Sequence, residues 1–243
     1  MNEAIKVMKS HTSIRKFNGE PLKDAEIDAI IESAMRGATA GNMMLYSLID
    51  VRSKENLSKL AVWCDNQPFI ESAAFALIVV VDYHKWHRFY RLNGLDESLG
   101  YDGPTPADLV LGMQDAMIAA QNAVIAAESM GIGTCYIGDI VENKEDVSAH
   151  FGLPAYTLPA TLIVFGRYDH KPVLRKRFDK PYVVFRERYE TLSDEAIKAM
   201  FADHFASDGS VEAFYKRKHS APFYKEMVRS IRAYFEPFFK AKQ

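Results

Sequence analysis

The sequence predicts a layered fold of helices on a sheet, α/β or α+β, and three stretches carry that prediction. Residues 75–81 form an almost unbroken apolar run that ends at Asp82, and a continuous apolar strand needs cover on both faces. Residues 107–130 read as one long helix, because Leu109, Met113, Ala116, Ala120, Ala123 and Ala127 recur at three and four while Leu111, Ile118 and Ile125 fill a second face. A helix apolar nearly all round belongs inside a fold or inside a subunit interface. Gly131 follows where a left-handed C-cap is wanted, and residues 134–137 then have strand composition before Gly138.

The rest of the chain, taken in order, fills in the layers. Residues 2–9 form a short amphipathic helix with Ile5 and Met8 on one face. The segment 11–17, HTSIRKF, is extended or irregular, and in an extended chain His11, Ser13 and Arg15 share one side. Three donor side chains on one side make an anion cradle, with a solvated loop as the alternative. Residues 21–35 form a second amphipathic helix with Asp24 as its cap and Ile27, Ile30, Ile31 and Ala34 as its buried stripe. The small residues at 37–42 break it and let backbone approach a ligand. Strand 46–51 and helix 54–62 follow, then a turn at 64–68 in which Gln67 offers both a donor and an acceptor and Pro68 opens a short helix. Residues 84–92 make an aromatic and basic helix for a surface or an interface, with nucleic-acid stacking as the alternative, and 96–106 an acidic loop punctuated by Gly and Pro.

After the central helix come a helix at 143–151 and a strand at 161–166. Residues 167–188 hold eight Lys and Arg against three acids, a basic patch suited to phosphate, with a solvated charged loop as the alternative. Arg175 and Arg177 stand two apart, so an extended chain points both guanidinium forks the same way. From 191 the chain is helical and amphipathic, with a basic knot at 216–218 and aromatics at 234, 235, 238 and 239.

Composition limits the function. The 243 residues are 48% hydrophobic and 26% charged, which is folded rather than disordered composition. A net charge of −2 gives no general pull toward nucleic acid or anionic membrane. Two cysteines, Cys64 and Cys135, are too few for a disulfide framework or a cysteine metal site and suit the cytoplasm. The first residues show no signal-peptide core, the apolar run at 73–81 is too short to span a bilayer, and Asp115, Gln121, Asn122 and Glu128 interrupt the long helix, so no membrane partner is expected. No dinucleotide-binding glycine fingerprint, P-loop, nucleophile elbow or zinc-protease motif is present. What remains is a dispersed set of phosphate donors, small-residue backbone sites and a polar Gln, which fits a bound mononucleotide whose own ring does the chemistry.

Those segments resemble the FMN-dependent nitroreductase superfamily, on the side of its NADPH-dependent, oxygen-insensitive nitroreductase and flavin reductase branch. The resembling pieces are H-x-S-I-R-K-F at 11–17, A-T-A-G-N at 38–42, N-Q-P at 66–68, the Gln-Asn-Ala run within 116–133, Y-I-G at 136–138 and L-R-K-R at 174–177, collinear over most of 1–190. The resemblance implies an α+β fold, with a central mixed, mostly antiparallel sheet wrapped by helices. It implies one domain over 1–243, whose part from 191 is a helical extension packing on that domain or on a partner subunit, and an intertwined homodimer with FMN at the interface. His11, Ser13, Arg175 and Arg177 would hold the FMN phosphate, and Arg15 would support the N1–C2 edge of the ring, where reduction places negative charge. Gln67 would meet the pyrimidine edge or the ribityl hydroxyls. Thr39, Gly41 and Asn42 would line the ring, with Tyr136, Gly138 and Asp139 at the strand end and the Gly138 N–H toward N5. Arg217 would meet the 2′-phosphate of NADPH. No metal and no protein nucleophile are implied.

The implied activity is an NAD(P)H-dependent flavin oxidoreductase, reducing small electron-poor aromatic acceptors such as nitroaromatics, quinones or flavins by a ping-pong scheme with NADPH or NADH as reductant. Reductive dehalogenation and a flavin-binding protein without turnover are the other readings of the same residues. Three positions depart from the family pattern: Thr12, Met44, and Asp139, which stands where a second glycine is common.

Overall fold

A computed structural model describes residues 2–205 and 210–240. Helices α1 (Glu3–Lys9) and α2 (Asp24–Met35) precede strand β1 (Tyr46–Val51), and α3 (Lys54–Trp63) precedes β2 (Phe75–Asp82). Then come α4 (His84–Leu92), α5 (Pro106–Ser129), β3 (Gly133–Ile137), α6 (Lys144–Phe151) and β4 (Thr157–Gly166). Helices α7 (Asp194–Phe205), α8 (Val211–Tyr215) and α9 (Pro222–Phe235) end the chain. The four strands form one sheet in the order β1-β2-β4-β3, and each described pairing is antiparallel.

The central strand shows why its sequence is apolar without interruption. Phe75, Leu77, Val79 and Val81 of β2 point into a core shared with α2, α5 and the C-terminal Phe238. Ala76, Ile78 and Val80 point the other way, onto Leu57 and Leu60 of α3 and Val147 of α6. Burying each of the larger aliphatic side chains stabilises the fold by about 1.5–3 kcal/mol. The sheet is therefore the middle of three layers. Helix α5 comes so close to β2 that a Cβ at Gly112 would stand 2.7 Å from Val81 Cγ1, so that position needs a residue without a side chain.

Several boundaries differ from those expected, each for a local reason. Lys23, not Asp24, precedes α2: the Glu26 carboxylate accepts from the Lys23 N–H at 2.9 Å, while Asp24 lies in the first turn and takes Arg52 at 2.9 Å. Strand β4 begins at Thr157 instead of 161, and Pro159 is tolerated in it because the register shifts between Val79 and Val80, a bulge that relaxes the demand for its missing N–H. Helix α1 has no buried residue, and Ile5 and Met8 are exposed. Helix α5 is 24 residues long, and it is long and apolar enough to cross a membrane by length and composition. Its face through Leu109, Ala116, Ala120 and Ala127 is instead packed in the core.

The chain divides into two compact units, Met1–Val173 with Glu226–Gln243, and Leu174–Lys225. In the first, α9 supplies what α6 lacks. Asn143 before α6 has left-handed backbone and gives no side-chain cap. The orphan N–H groups of Asn143 and Lys144 donate instead to Glu226 Oε1 at 3.2 Å and Ser230 Oγ at 3.1 Å. Arg229 ties Glu226 to Glu145, and Tyr234 and Phe238 are buried. In the second unit, Phe201 of α7 meets Phe178 edge-on, and α8 runs into a π-turn at Lys216–Ser220, where His219 lies against Tyr215. The helical part expected from 191 thus falls partly in each unit, with 226–240 in the first.

Candidate active site

Helix α5 is the rod on which the site is hung. From Leu109 to Met130 its only charges are Asp115 and Glu128, and each holds a loop. Asp115 is 2% exposed; its two oxygens accept from Ala40 N at 2.8 Å and Leu45 N at 3.1 Å. Between those points Gly41, Asn42 and Met44 have positive φ of 54°, 58° and 50°. The turn bearing Thr39, Gly41 and Asn42 is therefore pinned at both ends by one buried carboxylate.

Glu128, near the other end of α5, accepts from His11 Nδ1 at 2.6 Å and from Thr134 Oγ1 at 2.8 Å through the same oxygen. Toward an ionised carboxylate that ring nitrogen is the donor, which leaves Nε2 for another partner. Midway, Gln121 Oε1 takes the Tyr136 hydroxyl at 3.2 Å, and burial pushes that phenol well above its ordinary range.

The segment 11–17 runs beside β3. The Ile14 N–H donates to the Thr134 carbonyl at 2.8 Å, and Ile14 is buried with Phe17. That anchoring sets Ser13 and Arg15 around Cys135. Burial raises the Cys135 thiol, the Arg15 charge and the Ser13 hydrogen bond oppose the rise, and Asp139 adds to it. Among the described residues Arg15 has no carboxylate partner, and it is exposed. At the end of β3, a Cβ at Gly138 would meet nothing within 4 Å, so this backbone borders open space. Asp139 reaches back to Gln67, whose Nε2 donates to Asp139 Oδ2 at 2.7 Å and to the Cys64 carbonyl at 2.9 Å.

The structure thus joins Ser13, Arg15, Gly138, Asp139 and Gln67 around Cys135, attaches His11 through Glu128 and Thr134, and holds the 39–42 turn and Tyr136 on α5. Arg175, Arg177 and Arg217 belong to the other compact unit. Arg175 and Arg177 are exposed on irregular chain, and the Arg217 guanidinium lies 5.4 Å from the centre of the Phe214 ring. Two members of the expected basic patch are otherwise engaged: Arg167 pairs with Glu26 at 2.5 Å and Lys171 reaches Ser10 at 3.4 Å. Asp115 and Glu128 are the residues that sequence reasoning missed. Their signal was two acids in a stretch, 109–130, with no other charge.

Beside Asp139, Glu142 is 4% exposed and its Oε1 has no hydrogen-bond partner among the described residues. Burial, and then the charges of Asp139, Asp65 and Glu226, push its carboxyl up to about 8. The folded protein therefore holds a proton that the unfolded chain releases near the ordinary 4.5, and stability falls as pH rises from there to about 8. Glu142→Gln removes that loss. Thermal melts should show the variant about 1 kcal/mol, or roughly 2–4 °C, more stable than the parent at alkaline pH, with little difference in acid. An equal alkaline loss in both proteins would exclude this origin.

The nitroreductase family model matches residues 8–167, the span that holds the sheet, α5 and the connected site. The chain belongs to the nitroreductase family. It is 29% identical to an NADPH-flavin oxidoreductase of Vibrio harveyi, over 90% of this chain and 85% of that one. It is 30% identical to an oxygen-insensitive NADPH nitroreductase of Salmonella typhimurium, over 85% and 82%. The solved structure of NfrA2 from B. megaterium superposes with a TM-score of 0.87 at 29% identity, covering 100% of both chains. For this nitroreductase-family chain the mixed helix and antiparallel-sheet architecture and the expected family agree with those likenesses.

Proposed function

We propose that this nitroreductase-family chain is a cytoplasmic homodimer that passes electrons from NAD(P)H to an electron-poor acceptor by a ping-pong cycle at one site. The chain is a flavin-dependent NAD(P)H oxidoreductase with FMN as cofactor. The observation that carries the site is the connected set at the end of β3: Ser13, Arg15 and Asp139 around Cys135, Gln67 bound to Asp139, and open space beside Gly138.

These residues fit FMN by their chemistry. His11 and Ser13 offer donors for the phosphate, and Arg15 offers a cation with no carboxylate partner among the described residues. Thr39, Gly41 and Asn42 sit on a turn held rigidly enough to line a flat ring, Tyr136 flanks it, and Gly138 exposes a backbone N–H. Arg175 and Arg177 are proposed as phosphate ligands, and Arg217 as an NADPH 2′-phosphate ligand, on the sequence alone. FMN, when bound, supplies the two-electron exchange, so no protein nucleophile is required. The chain's task is to hold the planar reactants in register and offset charge. The dimer is supported by Val110, Leu111, Met117 and Ile118, which stay exposed at 56%, 38%, 38% and 41% along one face of the core helix. The free buried cysteines suit a reducing compartment.

The purified protein should be yellow and should bleach on addition of NADPH without oxygen. With reductant and nitroaromatic or quinone both varied, double-reciprocal plots should be parallel. Intersecting lines would reject the shared site, and a colourless protein that takes up no FMN would reject the flavin reading.

A further inference from the structure

Gln67 is held in a way that fixes its polarity. Its amide nitrogen carries the only two protons of the carboxamide, and it lies 2.9 Å from the Cys64 carbonyl oxygen and 2.7 Å from Asp139 Oδ2. An amide nitrogen only donates, so both protons are used on these two oxygens. The atom left over is Oε1, which only accepts. A flip of the carboxamide would break both bonds and set oxygen against two oxygens. The side chain cannot easily move as a whole, because the Gln67 N–H donates to the Ala61 carbonyl at 2.8 Å, and the preceding Asp65 and Asn66 are committed to left-handed backbone with φ of 55° and 50°.

We propose that Asp139 is a positioning residue: together with the Cys64 carbonyl it turns Gln67 into an acceptor-only contact, so that the site selects a flavin whose ring imide N–H is intact. This rests on the reading that FMN occupies the site. An oxidised flavin ring carries a single N–H, at N3, and its other polar edge atoms are acceptors that Gln67 so held cannot serve.

The test is equilibrium binding to the apoprotein, by fluorescence quenching, of FMN, 3-methyl-FMN and 2′-deoxy-FMN. The parent protein should bind 3-methyl-FMN about 10–100-fold more weakly than FMN, the cost of an unmet buried acceptor. In Asp139→Gly, which frees one amide proton and lets Gln67 swing aside, that ratio should collapse to within a few-fold. Asp139→Asn keeps an accepting oxygen and should restore the ratio, which separates orientation from charge. A merely structural role would weaken both flavins in parallel and leave the ratio unchanged, overturning the proposal. So would equal binding of FMN and 3-methyl-FMN by the parent protein, or a ratio dependent on Asp139 that appears with 2′-deoxy-FMN instead. Failure to bind any of the three flavins would remove the FMN reading itself. If Asp139→Gly does not fold, Asp139→Ala, which also removes the accepting oxygen, is read in its place, and an unchanged ratio there overturns the proposal.

Discussion

Replacing Arg15 with alanine is expected to leave a folded protein that has lost its flavin or reduces it about 100–1000-fold more slowly, the usual cost of removing one fixed charge at a reacting centre. Arg15 is exposed and has no carboxylate partner among the described residues, so its removal takes away no packing and no ion pair. Its backbone, however, is fixed. Ile14 on one side is 2% exposed and donates to Thr134 in β3. Phe17 on the other is packed so tightly that a Cβ at Gly166 would stand 2.7 Å from its ring. The guanidinium is therefore delivered beside Cys135 of β3 by two buried neighbours, where it would meet the negative charge that reduction brings to the ring. Arg15→Lys keeps the charge without the planar fork and should recover part of the activity. The checks are flavin content of the purified variant, its anaerobic bleaching rate with NADPH, and its melting temperature. An unchanged melting temperature with unchanged flavin content and rate would remove Arg15 from the site.

Asp115→Ala is expected to cost about 3–5 kcal/mol of folding stability, a large part of the roughly 5–15 kcal/mol that holds a domain together. The carboxylate is buried in α5 and satisfies Ala40 N and Leu45 N across the layer. Without it those two N–H groups lose a charged acceptor each. The turn between them, with left-handed Gly41, Asn42 and Met44, loses the clamp that offsets its backbone strain. Asp115→Asn presents one carbonyl and one amide, so it can serve only one of the two N–H groups and should recover about half the loss. Urea denaturation measures the change, and FMN titration should show the variant binding more weakly, since the same turn carries Thr39, Gly41 and Asn42. A loss below about 1 kcal/mol would show that the turn is held by other means.

Much of this was legible in the sequence. Helical spacing marked α5, the unbroken apolar run marked β2 and demanded two covering layers, and Gly131 marked the helix end, with φ of 71° in the structure. Those features are local: they follow from side-chain period and backbone preference over a few residues. The short motifs, in their order, pointed to the nitroreductase family and to its cofactor.

Which atom of each polar side chain is spoken for was not legible, because the partners lie far apart in sequence and are brought together only by packing. His11 meets Glu128 across 117 positions, Ala40 meets Asp115 across 75, and Gln67 meets Asp139 across 72. The sequence alone determined that Gln67 offers a donor and an acceptor. Only the tertiary structure, by placing two acceptor oxygens against its nitrogen, decided that the acceptor is what remains.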